Sequence, residues 1–293
     1  MYYLLFALLT LVWSIGFYLQ KIANFAFGPI TVATCGCLGG AFVLWISWVL
    51  KKSEWGLTKK HIQPLIWITV IGYIYPFTTT PFLIHKIGHG FIGMMVSLVP
   101  ILTILVSIPI LKVFPSRLQL LGVLVGLGAM FLIGLDGLSR NVRALYLLLA
   151  MLSPLCFAIT NSLIQRNFRN VPSLTLVAVL MTTAGIILTP MAITFETITV
   201  GHNLFKASIA MIVFAVFCRG FGTTIFYKLI KEKGPLFAGL ITYVVPLGAL
   251  FWSWFDNEKI TVKQIAAIGV ILVVVVFVQK DIIKRNVIKA GNK

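Results

Sequence analysis

Apolar runs of about twenty residues follow one another along this chain, separated by short breaks such as Lys51-Lys52, Lys59-Lys60, Lys112, Arg166 to Arg169 and Lys228 to Lys233. A bilayer core about 30 Å thick takes about 20 apolar residues per helical crossing. Breaking the chain at its charged and Pro/Gly-rich points therefore predicts ten helices, near residues 2–21, 29–50, 62–84, 90–111, 118–135, 143–164, 172–195, 205–230, 235–255 and 262–280. They fill the chain and leave no room for a soluble domain. The first run, Tyr2 to Lys21, has no basic region before it and no small-residue cleavage site after it, so it is expected to stay as a span and not to be removed as a signal.

The chain also resembles itself. Shifted by 146 residues, the segment Thr78 to Pro100 falls on Thr224 to Pro246 with eight identities, among them Gly88/Gly234, Gly93/Gly239 and Pro100/Pro246. The reading is a duplicated unit: a first five-helix repeat over 1–141, a second over 142–285, and a basic tail over 286–293. An odd number of crossings per repeat turns the second copy upside down relative to the first. In such proteins the solute site lies near the midplane between the repeats, which rock against each other to give alternating access. The expected fold is thus an all-α membrane protein of ten transmembrane helices, two inverted five-helix repeats around a central cavity.

Composition sharpens this. Hydrophobic residues make up 59% of the chain and charged ones 11%, and the mean hydropathy is +1.02, far from an ordinary soluble domain. A net charge of +17 would suggest nucleic acid in a soluble protein, but here the basic residues cluster between apolar runs. Sixteen fall on one side of the predicted topology and seven on the other, with Arg219 inside a span. The positive-inside rule then places both termini in the cytoplasm, the lipid bilayer replaces nucleic acid as the partner, and a bacterial inner membrane is the expected location. Cys35, Cys37, Cys156 and Cys218 all sit in apolar runs with no ligand-spaced histidine, so they read as small hydrophobes.

Three stretches carry a likeness to a known family: Trp13-Ser-Ile-Gly-Phe17-Tyr-Leu-Gln-Lys21 followed by Pro29; Ser97, Pro100, Gln119 and Gly122; and Tyr243-Val-Val-Pro246 followed by Glu258-Lys-Ile-Thr261 and Gln264. Over essentially its whole length the chain resembles EamA-type exporters of the drug/metabolite transporter superfamily. The resemblance implies fold, topology and transport. Two positions depart from the family pattern: Cys35-Gly36-Cys37 stands where an arginine is frequent, and Lys112 or Val113 stands where the first repeat would carry the counterpart of Glu258.

Arg219 is the charged side chain deepest in a predicted span, about ten residues or roughly 15 Å along the helix from Ile209. An intramembrane arginine must face the bundle interior and find a partner, yet no acidic residue lies at comparable depth. A solute carboxylate or phosphate, gripped by two parallel hydrogen bonds, is the proposed partner; capping of backbone carbonyls beside Gly220 and Gly222 is the structural alternative. The 146-residue shift sets Tyr73 opposite Arg219. The family plan places helices one, three, four, six, eight and nine around them, which adds Trp13, Phe17, Phe77, Met94, Ser97, Phe157, Asn161, Thr223 and Tyr243 as candidate substrate contacts.

Prolines within spans remove a backbone donor and bend the helix; Pro100 and Pro246 form the expected symmetric pair of bends. The spacings Gly36/Gly40 and Gly122/Gly126 allow close helix approach, within one chain more readily than between two, so a monomer is expected, with a dimer as the alternative. His85 and His89 are four apart but no third ligand accompanies them, and neither a metal nor a cofactor is expected. Glu258 reads as a solvated acid at a helix end, and no deep carboxylate suggests proton coupling. The function expected is a secondary transporter, an exporter of small organic metabolites with aromatic or hydrophobic amino acids foremost. Within transport the alternative is a nucleotide-sugar or phosphorylated-metabolite exchanger. From another class the alternatives are a membrane-embedded lipid-modifying enzyme, for which the chain lacks the paired acids or Ser/Cys–His arrangement such chemistry needs, and a non-transporting subunit.

Overall fold

The structure is a computed structural model that describes residues 2–112, 117–118, 120–121, 124–125, 128, 142–197, 203–234, 238, 241–258, 260–263, 265–266, 268–270 and 273. The fifth and tenth predicted spans lie largely outside the described residues, as does the Gly122/Gly126 spacing.

The described residues form helices and no strand. We number them α1 (Tyr2–Ala23), α2 (Pro29–Leu50), α3 (Lys59–Ile87), α4 (His89–Leu111), α5 (Ala144–Asn167), α6 (Ser173–Phe195) and α7 (Leu204–Glu232), and α8 (Ile241–Phe255). Six of them, α2 to α7, are long and apolar enough to cross a membrane. Their outer faces expose large side chains such as Phe42, Leu50, Ile193 and Phe195. Contiguous apolar surface of this kind is costly in water and suited to lipid.

Helices α2 and α6 pack closely against each other. The carboxylate of Glu196, just past α6, accepts hydrogen bonds from the free N–H groups of Ile30 and Thr31 at 2.8 and 2.7 Å, an anion placed where the helix dipole and four unpaired donors favour it. Elsewhere α1 packs on α8 and α5 packs on α4, while α7 lies against α2 and α3 against α6. Gly36 and Gly40 bring α2 against α7: a Cβ on Gly40 would stand 3.1 Å from the Ala215 carbonyl and 3.2 Å from the Gly220 nitrogen. This glycine spacing therefore serves contact within the chain.

The internal repeat is written into the backbone. Helix α3 widens to a π-helical stretch at Thr69–Ile74, and α7 does so at Phe214–Gly222; a shift of 146 carries the first inside the second. Each helix then ends on a glycine with nearly the same left-handed dihedral, φ 89° at Gly88 and φ 88° at Gly234. The paired prolines are less alike. Pro100 follows a 3-10 turn at Val96–Leu98 that interrupts α4, whereas Pro246 sits inside the α-helical stretch of α8.

Candidate functional site

A cavity of about 140 Å³ lies between α1, α3, α4, α5, α7 and α8. That is close to the size of an engineered apolar cavity able to hold a benzene ring. Its walls are mostly aromatic and aliphatic, with a small number of polar groups.

The π-helical stretch of α7 sets a strong charge on the cavity wall. A π turn takes an extra residue, so its backbone bulges and its carbonyls are less fully used. Here the Cys218 carbonyl accepts from the indole N–H of Trp13 on α1 at 3.3 Å, and a thiol–carbonyl contact from Cys218 to Val12 runs alongside. The next residue, Arg219, is buried and turned into the cavity. Its guanidinium lies over the Phe77 ring, 3.1 Å from the centroid, and 4.8 Å from that of Phe214. Among the described residues its Nε has no hydrogen-bond partner, and no carboxylate pairs with it. Stacking on Phe77 uses the face of the guanidinium and leaves the in-plane N–H fork for a ligand.

The other sequence candidates fall in different places. Trp13, Phe17, Phe77, Phe157, Asn161 and Thr223 line the same cavity as Arg219. Tyr73 is fully buried behind this wall, its ring 4.9 Å from that of Phe77, so it backs the aromatic plate on which Arg219 rests. Met94 and Ser97 do not reach the cavity: Met94 packs with Leu83, Phe91 and Leu98, and the Ser97 hydroxyl donates to the Met94 carbonyl at 2.7 Å. A one-residue offset puts Met95 on the wall instead. Tyr243 lies in α8, but its side chain is outside the described residues.

Sequence reasoning passed over Gln20, Ser153 and Phe214, which also line the cavity. A signal for two of them was present. Gln20 continues the Trp13 and Phe17 face of α1 at helical spacing, and Ser153 precedes Phe157 and Asn161 by one and two turns on α5.

A second polar cluster closes one end of the bundle, and it corrects the expectation that Glu258 is a solvated helix-end acid. The Glu258 carboxylate accepts from the backbone N–H groups of His89 and Gly90, both at 3.1 Å, and from the Ser253 hydroxyl at 3.2 Å. It also meets His89 Nδ1 at 2.5 Å and Lys21 Nζ at 3.3 Å. Lys21 pairs with Asp256 as well, and the His89 side chain is completely buried. Burial alone would raise the Glu258 carboxyl pKa, but the His89 hydrogen bond and charge and the two backbone donors outweigh it and lower it to about 2. His89, Asp256 and Glu258 place ligand-type atoms within 4.8 Å of one another, though the ammonium of Lys21 already supplies the positive charge between the acids.

The model of the EamA-like transporter family matches residues 1–135 and 144–279. No curated protein matches the chain. Among solved structures, one described only as the crystal structure of a protein superposes with a TM-score of 0.68 over 94% of this chain and 95% of its own, at 16% identity; at that identity the likeness speaks for the fold.

Proposed function

The chain belongs to the EamA-like transporter family, and on that premise we propose that this multi-pass membrane protein is a secondary carrier, an exporter of small organic metabolites that works by alternating access. Its preferred solutes are amino acids with aromatic or other hydrophobic side chains. The observation that carries this reading is a buried guanidinium, stacked on one face and with its Nε unpartnered among the described residues, in a cavity walled by Trp13, Phe17, Phe77 and Phe157. A desolvated arginine demands an anion. With no protein carboxylate to meet it among the described residues, a solute carboxylate completes the pair, and the aromatic wall takes the apolar body. Phosphorylated solutes fit less well, because a doubly charged group calls for more than one buried base and Arg219 is the only basic residue on this wall among those described.

On this reading the membrane is a bacterial inner membrane and both termini are cytoplasmic, so the Lys21–Glu258 end faces outward. The test is reconstitution in liposomes loaded with a complex metabolite mixture, with mass spectrometry of what leaves. Selective efflux of carboxylate-bearing solutes is expected. Arg219→Ala in a still-folded protein removes a desolvated charge partner, a change of about 2–5 kcal/mol, and cuts that efflux by roughly thirtyfold or more. Arg219→Lys, which keeps the charge and loses the planar fork, falls between. Selective efflux unchanged by Arg219→Ala would reduce the residue to a structural one. No selective efflux in either orientation would count against transport.

A further inference from the structure

Gln20 is buried on the cavity face of α1, and its side-chain amide is only half satisfied. The nitrogen donates to the Gly16 carbonyl at 3.2 Å. A carbonyl can only accept, so this contact fixes which end of the amide is nitrogen, and it leaves Oε1 as a buried acceptor without a partner among the described residues. The hydroxyl of Ser153 on α5, also on the cavity wall, is buried and likewise without a partner among the described residues. Buried acceptors without donors are rare in folded proteins because each keeps its desolvation cost. In a cavity built to receive something, that acceptor defines what the ligand must bring.

The depth of Gln20 relative to Arg219 narrows the ligand further. Gly16 stands against Cys218, where an added Cβ would lie 3.2 Å from the sulfur, and Cys218 immediately precedes Arg219. Gln20 is one turn beyond Gly16, about 6 Å along α1 at 1.5 Å per residue. The Gln20 amide bonds back to the Gly16 carbonyl, so its oxygen lies toward the Arg219 level of the same cavity, which Trp13 and Phe17 also line. An anion-seeking edge and a donor-seeking oxygen in one apolar chamber suit adjacent carboxylate and ammonium groups on one apolar body. Neutral acceptors and aromatic faces can hold an ammonium without a protein carboxylate.

We propose that Gln20, assisted by Ser153, receives the ammonium group of a zwitterionic solute whose carboxylate is held by Arg219, and that this contact sets the selectivity for α-amino acids over plain carboxylates and plain amines. The inference rests on the carrier reading above and assigns a role to a residue that reading does not use.

The experiment uses the full chain in liposomes loaded with equal amounts of L-phenylalanine, 3-phenylpropionate and phenethylamine, three solutes with one apolar body and different heads. Efflux is corrected for protein-free leakage. Wild type is expected to release L-phenylalanine at least about tenfold faster than either analogue, since a site that hydrogen-bonds a polar group rejects the analogue lacking it. Gln20→Met keeps the length and removes the acceptor, and it is expected to collapse the L-phenylalanine to 3-phenylpropionate ratio toward one. Gln20→Glu keeps an acceptor and restores the preference. The proposal is overturned if wild type exports 3-phenylpropionate as fast as L-phenylalanine, if Gln20→Met leaves the ratio intact, or if it lowers both rates together, which assigns Gln20 to packing. Silence toward all three probes, with selective efflux from the metabolite mixture, overturns the zwitterion assignment and spares the carrier reading; silence in both assays ends both.

Discussion

The glycine turns that end α3 and α7 share a backbone and differ in chemistry. Gly88 and Gly234 adopt the same dihedrals to within about ten degrees, φ 89° and ψ 149° against φ 88° and ψ 160°, at positions 146 residues apart. Around Gly88 the carboxylate of Glu258 gathers two backbone donors, a serine, a histidine and a lysine. Around Gly234 the described charges are largely basic. Lys231 donates to the Val171 carbonyl, Lys228 and Glu232 make an exposed pair at 3.8 Å, and Lys112 occupies the repeat position of Glu258 in a left-handed conformation with φ 55°. Duplication has kept the turn and let its side chains diverge. One end of the bundle is therefore tied by charge, from α1 to α4 to the segment after α8, and motion that opens it must part Lys21 from its acids.

The largest effect should come from removing the acid. Glu258→Ala strands two backbone N–H groups, the buried His89 ring and Lys21 together. Breaking one side of such a pair costs about 3–5 kcal/mol when fully buried, and the partial exposure of Glu258 brings the expected loss to about 3 kcal/mol. Lys112→Ala, at the equivalent but exposed position, should stay within about 0.5 kcal/mol. Thermal unfolding of the purified variants in one detergent compares them directly. Equal shifts would mean that the asymmetry is not energetic.

Next in size are the glycines themselves. The region near φ 88° and ψ 150–160° is essentially closed to side chains, and occupying it costs on the order of 1–3 kcal/mol. Gly88→Ala and Gly234→Ala should both lower Tm for this reason. Gly88→Ala should lower it more, because its Cβ would stand 3.1 Å from Glu258 Oε2, whereas a Cβ on Gly234 meets nothing within 4 Å among the described residues. In a Glu258→Ala background the excess at Gly88 should vanish.

The fold and the site were legible to different degrees, for physical reasons. Six of the spans could be read because a bilayer demands length and hydropathy, and the repeat could be read because Gly88/Gly234 hold a backbone conformation that resists substitution. Arg219 stood out because a lone charge inside a span needs a reason. Helical phase was harder. Met94 and Met95 are chemically identical, and only the 100° step between them decides which one reaches the cavity. The π-helical stretches were illegible because they alter that step without any dedicated residue signature. The Glu258 cluster was missed because its parts, Lys21, His89, Ser253 and Glu258, come from distant segments that only packing brings together.

The smallest expected effect tests the charge tie without breaking it. The Glu258 carboxyl is held at about 2 against an ordinary 4.5, so the folded protein binds a proton there less readily than the unfolded chain does. Its contribution to stability is then present in full above pH 4.5 and is lost as pH falls from 4.5 through about 2. Between pH 6 and pH 4 the wild type should lose Tm only modestly, because the unfolded carboxyl, with its ordinary value of 4.5, has only begun to take up its proton there while the folded one stays ionised. Glu258→Gln, lower in Tm at neutral pH, has no such proton to gain and should give a flatter profile over the same interval. The difference between the two curves isolates this one carboxyl from the general acid sensitivity of the chain. Parallel curves would show that Glu258 titrates like a solvated acid, which would return the Gly88 end to the same electrostatic footing as the Gly234 end.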